Sequence, residues 1–495
     1  MKKSRVSIIA AGVILVVAYI VFIATYWIKG TFGFGVEELV FTMTSPLDGT
    51  DMSVFYTALR YCLPRVLVVV ALYVGCVLLF LKVNFTAICK VKFDLLGVLK
   101  KSVVVLSLVC LVLSFVYVDA QFGFSGYIKD QLSYTKIYDE YYVDPANVSL
   151  SAKDGKYKNL IYIYLESMET TYASWEDGGA QDINYIPNLT TLANENISFS
   201  NKQQGLGGFN NVSNTGFTMG ALFGATSGIP LCFPVGDNNI NKDSLFTPGL
   251  ITLGDILDDF GYNQEFLCGS DADFAGRKNY FEQHGNYQIF DYYTAKEQEY
   301  IDEDYYVFWG FEDEYLYDIA KDEATRLSKQ DKPFNLTMLT VDTHHVEGYV
   351  CGLCGGEYDT QTKNVVSCAD KQIAEFVEWC KKQDFYEDTV IIISGDHPRM
   401  DTEMVDGIDY SDRTIYNCFI NCEIDKNVKT TERTFTVLDM FPTTLQALGF
   451  EWGSDRLALG TGMFSGEQTL AEQLGFDYFN AELRKRTKFI TRFYK

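Results

Sequence analysis

Val390-Ile391-Ile392-Ile393-Ser394-Gly395-Asp396-His397 is the stretch whose reading decides the fold. Four β-branched residues in a row fit a strand buried on both faces, the signature of a parallel sheet covered by helices. Ser394 and Gly395 end the run, and an Asp-His pair follows. In open α/β sheets, ligands sit just beyond the carboxyl ends of the strands, so Asp396 and His397 are expected to face a cleft. Two further runs have the same form. Asn159 to Leu165 leads into Glu166, and Phe334 to Val341 leads through Asp342 and Thr343 into His344 and His345. These ends can converge only if the sheet is parallel there.

Working outward, apolar runs alternate with amphipathic ones from about Tyr157, the pattern of a sheet with helices on both sides. The spacing predicts helices over 186–195, 250–260, 369–383 and 435–448, the last containing Pro442, and strands over 263–267, 334–341 and 390–393. The expected fold is therefore α/β, with a mostly parallel sheet sandwiched by helices.

The first third of the chain has a different character. Ser7 to Ile28, Val66 to Leu81 and Ser102 to Val118 are apolar stretches of the length a bilayer requires. The first lacks the small-residue cleavage site of a secretory signal. Lys2, Lys3 and Arg5 precede the first stretch, and Lys82, Lys90, Lys92, Lys100 and Lys101 crowd the loop between the second and third. Glu37, Glu38, Asp48 and Asp51 occupy the loop between the first and second. The positive-inside rule then puts the amino terminus and the 82–101 loop in the cytoplasm, and everything after Val118 outside. The expected organisation is a membrane region over 1–118, a linker with helical character over 119–156, an extracytoplasmic domain over 157–470 and a basic tail over 471–495. Among 495 residues the net charge is −24. That balance argues against nucleic acid as a partner, because such binding rests on neutralising phosphates with a basic face.

Of twelve cysteines, Cys62, Cys76, Cys89 and Cys110 lie in or beside the apolar stretches, where a thiol acts as a small apolar filler. The other eight follow residue 231. An even number in an oxidising compartment favours disulfides, with Cys418 and Cys422 as one possible pair. Cys351-x-x-Cys354, with Cys368 and Cys380, reads alternatively as a zinc knot.

Strand ends carrying Glu166, His344 and Asp396-His397 offer oxygen and nitrogen donors suited to a divalent cation. Asn214-Thr215-Gly216-Phe217-Thr218-Met219-Gly220 offers a nucleophile. At a helix amino terminus the Thr215 hydroxyl would meet free N–H groups and the positive dipole end, which favour a phosphate. The plainer reading of Thr215 is a helix cap.

Taken together, Glu166, Thr215-Gly-Phe-Thr, Ser227-Gly228-Ile229-Pro230-Leu231, Thr340-Val341-Asp342-Thr343-His344-His345, Gly395-Asp396-His397 and Leu438-Asp439-Met440-Phe441-Pro442-Thr443-Thr444 resemble the membrane-anchored phosphoglycerol transferases of the sulfatase-like branch of the alkaline phosphatase superfamily, a group that includes the lipoteichoic acid synthases. The resemblance covers roughly Lys158 to Met463. It implies an alkaline phosphatase-like fold and Mn²⁺, or another divalent ion such as Mg²⁺ or Zn²⁺, held by Glu166, Thr215, Asp396 and His397. It further implies a covalent phosphoglycerol-threonine at Thr215, phosphatidylglycerol as the lipid donor, a glycan or glycerolphosphate acceptor, and a bacterial cell membrane with the catalytic domain outside.

His344 is implied as a contact for the phosphoglycerol, and His345, His284 and Arg277 as further substrate-side residues. Phe274-Ala275-Gly276 followed by Phe281-Glu282-Gln283-His284 departs from the Phe-Trp-Asn-Arg of the lipoteichoic acid synthases. With three expected spans rather than five, the pattern is closer to the glucan-modifying type. Rival readings are a phosphoethanolamine transferase, a sulfatase or phosphodiesterase of the same superfamily, and a binding protein with a dead site. Cys62-Leu63-Pro64-Arg65 lacks the spacing of a sulfatase nucleophile.

Overall fold

A computed structural model describes residues 2–33, 35–44, 53–82, 95–152, 155–232 and 245–494. The chain divides into two compact units, residues 1–36 with 51–129, and residues 37–50 with 130–495.

The first unit is helical, with α1 (Lys2–Phe32), α3 (Ser53–Lys82) and α4 (Leu95–Phe122). Within them Ser7–Phe32, Phe55–Leu78 and Lys101–Phe122 are long and apolar enough to cross a membrane. Ile9, Leu72, Leu106 and Val112 lie exposed on these helices. Such surface is costly in water and favourable against lipid. The second helix begins earlier than the apolar run alone indicates and carries Pro64 in its interior. Lys90, Lys92, Asp48 and Asp51, which bear on the topology reading, lie outside the described residues. Helix α2 (Val36–Thr44) follows α1, and from Glu37 onward it belongs to the second unit.

The second unit is built on a six-stranded sheet: β1 (Asn159–Leu165), β2 (Asn263–Cys268), β3 (Gln288–Phe290), β4 (Phe334–Leu339), β5 (Thr389–Gly395) and β6 (Asn417–Ile420). The spatial order is β3-β2-β4-β1-β5-β6, parallel throughout except for β6, which runs antiparallel to β5. Alternation along β1 feeds two cores. Leu160, Tyr162 and Tyr164 pack on one face with helices α6 (Thr218–Ser227), α7 (Leu253–Asp259) and α11 (Met440–Ala447). Ile161, Ile163 and Leu165 pack on the other with α5 (Pro187–Glu195), α9 (Asp313–Ser328) and α10 (Gln361–Cys380). Each fully buried aliphatic side chain contributes about 1.5–3 kcal/mol, so a central strand apolar on both faces has no stable place at an edge.

The strands anticipated over 263–267, 334–341 and 390–393 form, and so do the helices over 186–195 and 250–260. Helix α10 starts at Gln361, eight residues before the anticipated 369, because the Thr360 hydroxyl accepts from Lys363 N and caps it there. Pro442 sits in the first turn of α11, where its missing N–H leaves no bond unmade. The short strands β3 and β6 carry too few residues for periodicity to reveal. At the carboxyl end, Phe479, Leu483, Ile490 and Phe493 are buried in the first core, so the basic residues there ride on a packed segment.

Candidate active site

Register decides what meets what. β1 and β5 pair in parallel with Leu165 opposite Gly395, so the next residue on each, Glu166 and Asp396, emerge side by side. Gly395 is required at that point, since a Cβ there would lie 2.0 Å from the Met168 carbonyl oxygen. Glu166, Asp396 and His397 are all buried, with one ligand atom each lying within 4.8 Å of the others.

Their orientations are fixed from behind. Asp396 Oδ1 accepts from Ser167 N and His397 N, both at 2.7 Å, while Asp396 Oδ2 is buried with no hydrogen-bond partner. His397 Nδ1–H donates to the Pro398 carbonyl at 2.9 Å, which leaves the Nε2 lone pair facing Glu166 Oε1 at 3.5 Å and Asp396 Oδ2 at 3.4 Å. Ser167 Oγ donates to Glu166 Oε1 at 2.7 Å, and Thr340 Oγ1 accepts from Glu166 N at 2.9 Å.

Two buried carboxylates this close repel. Burial and then the Glu166 charge push the Asp396 carboxyl up to about 7. Burial alone would also raise Glu166, but His397, His344 and hydrogen bonds from Ser167 and Thr218 together hold it below the usual carboxylate range. Burial disfavours the charged form of His397, yet Asp396 and Glu166 raise it overall. An orphaned carboxylate oxygen, a second carboxylate and a bare imidazole nitrogen converging in a dry site fit a divalent cation, and the mixed oxygen and nitrogen set suits Mn²⁺, Zn²⁺ or Mg²⁺.

The hydroxyl that joins this group belongs to Thr218, not to Thr215. Thr215 Oγ1 donates to the Val212 carbonyl at 2.7 Å and accepts from Val212 N at 2.9 Å, so it closes its own turn. Thr218 is the first residue of α6, and its Oγ1 lies 3.3 Å from Glu166 Oε2 and 3.2 Å from His397 Nε2. The helix terminus anticipated at Thr215 falls three residues later. The second threonine of Thr-Gly-Phe-Thr, next to the apolar helical run, is the signal that could have pointed to Thr218.

Helix α2 reaches this loop. Glu37 accepts from Ser213 Oγ and, at 2.8 Å, from Asn214 N. The Phe41 ring packs 4.4 Å from that of Phe217, and Glu38 Oε1 lies 2.8 Å from where a Cβ on Gly216 would sit. Nothing in the sequence pattern indicated this contact, because it joins residues separated by about 175 positions.

The other site candidates divide. His344 belongs here: it acts electrostatically on Glu166, stacks on His345 at 4.3 Å and meets the Trp309 ring at 4.9 Å. His344 Nδ1 bonds the His345 carbonyl at 2.6 Å, and burial lowers its pKa below the ordinary imidazole value. Burial lowers His345 further. Arg277 points its guanidinium at Ser270 Oγ (3.0 Å) and the Asp271 carbonyl (2.6 Å), holding the loop after β2. It lies over Phe274, which packs on Trp309 at 5.4 Å. Arg277 therefore supports the His344 wall through two rings.

His284 stands apart. It is buried between Asp255 (2.8 Å) and the Phe246 carbonyl (2.7 Å), where it ties α7 to the 246–247 segment. Its place in the sequence resembled a ligand position, but both ring nitrogens are committed to the scaffold. Sequence reasoning also missed Arg399, which is fully buried. It forms paired hydrogen bonds with Asp401 at 2.6 Å each and donates to the Thr343 carbonyl at 3.1 Å, one residue before His344.

The Sulfatase family model matches residues 158–450, a span holding Glu166, Thr218, Asp396 and His397. The chain belongs to the sulfatase family. As a sulfatase-family protein it is 34% identical over 342 residues to "Phosphoglycerol transferase I" of Salmonella paratyphi B, covering 67% of this chain and 42% of that one. The protein of the same description from Salmonella arizonae is 33% identical over 380 residues, 74% of this chain and 46% of that one. The chain thus spans less than half the length of the curated relatives it matches. Among solved structures, a protein in the alkaline phosphatase superfamily from Vibrio parahaemolyticus superposes with a TM-score of 0.50 at 25% identity, over 63% of this chain and 73% of that one. The sulfatase-family chain thus has the alkaline phosphatase-like α/β architecture, preceded, among the described residues, by three helices apolar enough to span a membrane.

Proposed function

We propose that this protein is a membrane-anchored transferase that moves phosphoglycerol from phosphatidylglycerol to a hydroxyl of an extracytoplasmic glycan or glycerolphosphate acceptor. The observation that carries the reading is Thr218 Oγ1 facing both Glu166 Oε2 and His397 Nε2 beside the unpaired Asp396 Oδ2. Similarity to the curated phosphoglycerol transferases, 34% identity over 67% of the chain, supports the substrate class.

Glu166, Asp396 and His397, with Thr218, would hold a divalent cation, Mn²⁺ or a similar ion. When bound, it supplies positive charge that favours ionised Thr218 and offsets charge on the phosphoryl oxygens. Thr218 Oγ1 attacks phosphorus as the bond to diacylglycerol breaks, and the proton lost from Thr218 ends on the diacylglycerol oxygen. In the second step the acceptor hydroxyl attacks the phosphoglycerol on Thr218, which regains a proton. Burial disfavours the charged form of His344, and with Nδ1–H donated to His345 O its Nε2 is an acceptor suited to carry that proton.

Glu37, in the connection between the first two apolar helices, bonds the loop before Thr218. This bond, together with the lysine distribution, supports a reading in which the connection and the catalytic domain lie outside. Tethering the site at the bilayer surface replaces a diffusional search for lipid with a local one.

The test incubates the full-length protein in vesicles of labelled phosphatidylglycerol with Mn²⁺, followed by extraction of diacylglycerol and peptide mass analysis. Diacylglycerol release with a phosphoglycerol adduct on the Thr218 peptide is expected. Donor cleavage undiminished in Thr218→Ala would overturn the nucleophile, and transfer only from phosphatidylethanolamine would overturn the donor.

A further inference from the structure

Away from the active site, three cysteines meet at the connection between β4 and α10. Cys351 Sγ lies 3.6 Å from Cys354 Sγ and 3.7 Å from Cys368 Sγ, and ligand atoms of all three fall within 4.8 Å of one another. A tetrahedral zinc with sulfurs at about 2.3 Å requires sulfur–sulfur separations of about 3.8 Å. A disulfide requires about 2.05 Å. The observed triangle matches the first spacing. Among the described residues every cysteine is a free thiol, including Cys418 and Cys422, so the disulfide expectation is not met in this structure.

Polar hydrogens point at the sulfurs. Gln372 Nε2 donates toward Cys368 Sγ at 3.5 Å and Cys351 Sγ at 3.9 Å, and the Cys354 N–H donates to the Cys351 carbonyl at 3.2 Å, closing the Cys-x-x-Cys turn. An amide donor shared between two sulfurs stabilises negative sulfur, the state a metal needs. Cys351 and Cys368 are buried, which excludes solvent from two sides, whereas Cys354 is half-exposed. Cys380 does not take part. It lies twelve residues from Cys368 along α10, about 18 Å at helical rise, and is buried in the second core.

We infer that Cys351, Cys354 and Cys368 form a zinc site distinct from the catalytic carboxylates, with the fourth position open to water on the Cys354 side. Three thiols release three protons to solvent as three sulfur–zinc bonds form, so no oxidant is needed. The ion joins the loop that carries His344 to helix α10. Tyr349 N already donates to the Asp342 carbonyl at 2.7 Å in that loop, and the metal would fix its far end. Its role is to hold the wall of the active site in place, and it does not depend on the proposed reaction.

Cobalt exchange into the purified full-length protein tests the site, because thiolate ligation alone gives an intense near-ultraviolet charge-transfer band. Carboxylate and imidazole ligands give none. The band is expected in the wild type, retained in Glu166→Gln, and lost or cut at least severalfold in both Cys368→Ser and Cys354→Ser. The second variant alters a half-exposed residue and guards against a folding defect in the first. A wild-type protein without the band, or a band unmoved by both cysteine changes, overturns the inference. So does an intact mass lighter by the two hydrogens of a disulfide that maps to any two of these cysteines.

Discussion

Asp396 Oδ1 accepts the Ser167 N–H at 2.7 Å, and this bond across two adjacent strand ends aims the other carboxylate oxygen into the site. Asp396→Asn keeps an oxygen for Ser167 but puts an amide donor, without charge, where Oδ2 stood. Divalent-ion affinity, followed by calorimetric titration, should fall at least about 100-fold with little change in melting temperature. Unchanged affinity would remove Asp396 from the ligand set.

Thr215 and Thr218 separate structure from chemistry. Thr215→Ala leaves Val212 N without its acceptor and should cost about 1–3 kcal/mol in stability, with turnover per folded molecule within a few-fold of wild type. Thr218→Ala should fold normally and lose on the order of 10³-fold or more in donor cleavage. Urea unfolding beside the diacylglycerol assay distinguishes them, and the reverse pattern would restore Thr215 as nucleophile.

Gly395→Ala drives a Cβ into the Met168 carbonyl at 2.0 Å, backbone against backbone, at the point where β5 delivers Asp396. Overpacking of that kind costs about 1–3 kcal/mol or more, and the carboxylate moves with it. Thermal melting and activity should both drop, whereas Gly453→Ala, which meets nothing within 4 Å, should change neither.

Glu37 ties α2 to the loop before Thr218. Glu37→Ala should lower the rate of donor cleavage several-fold and leave ion affinity intact, because Ser213 and Asn214 lose their acceptor while Glu166, Asp396 and His397 keep their partners. Equal losses in affinity and rate would mean that α2 acts on the whole site.

Glu265 supplies a pH test away from the active site. Burial first, then the neighbouring Glu323, push its carboxyl up to about 8 against the pull of Arg326, from an ordinary value of 4.5. A raised folded-state pKa stabilises the fold fully below the unfolded value and loses that contribution as pH rises through the folded one. Wild-type stability should therefore decline between about 4.5 and about 8, and Glu265→Gln should flatten that decline. Parallel stability curves for the two proteins would refute the shift.

The sequence by itself determined the central strands, because Val390–Ile393 and Leu160–Leu165 are apolar on both faces and only a covered parallel sheet hides such residues. It also determined which strand ends carry Glu166, Asp396 and His397, since those residues are contiguous with the strands. The apolar helices of the first third follow equally from composition. Tertiary structure alone decided which threonine faces the carboxylates. A helix start three residues later turns Thr218 inward and leaves Thr215 to close its own loop, and local propensity does not resolve so small a shift. It alone decided that His284 is scaffold, that Arg399 and Glu37 brace the site, and that three of four spaced cysteines converge. Each of these rests on contacts between segments far apart in the chain, which only the packed fold brings within bonding distance.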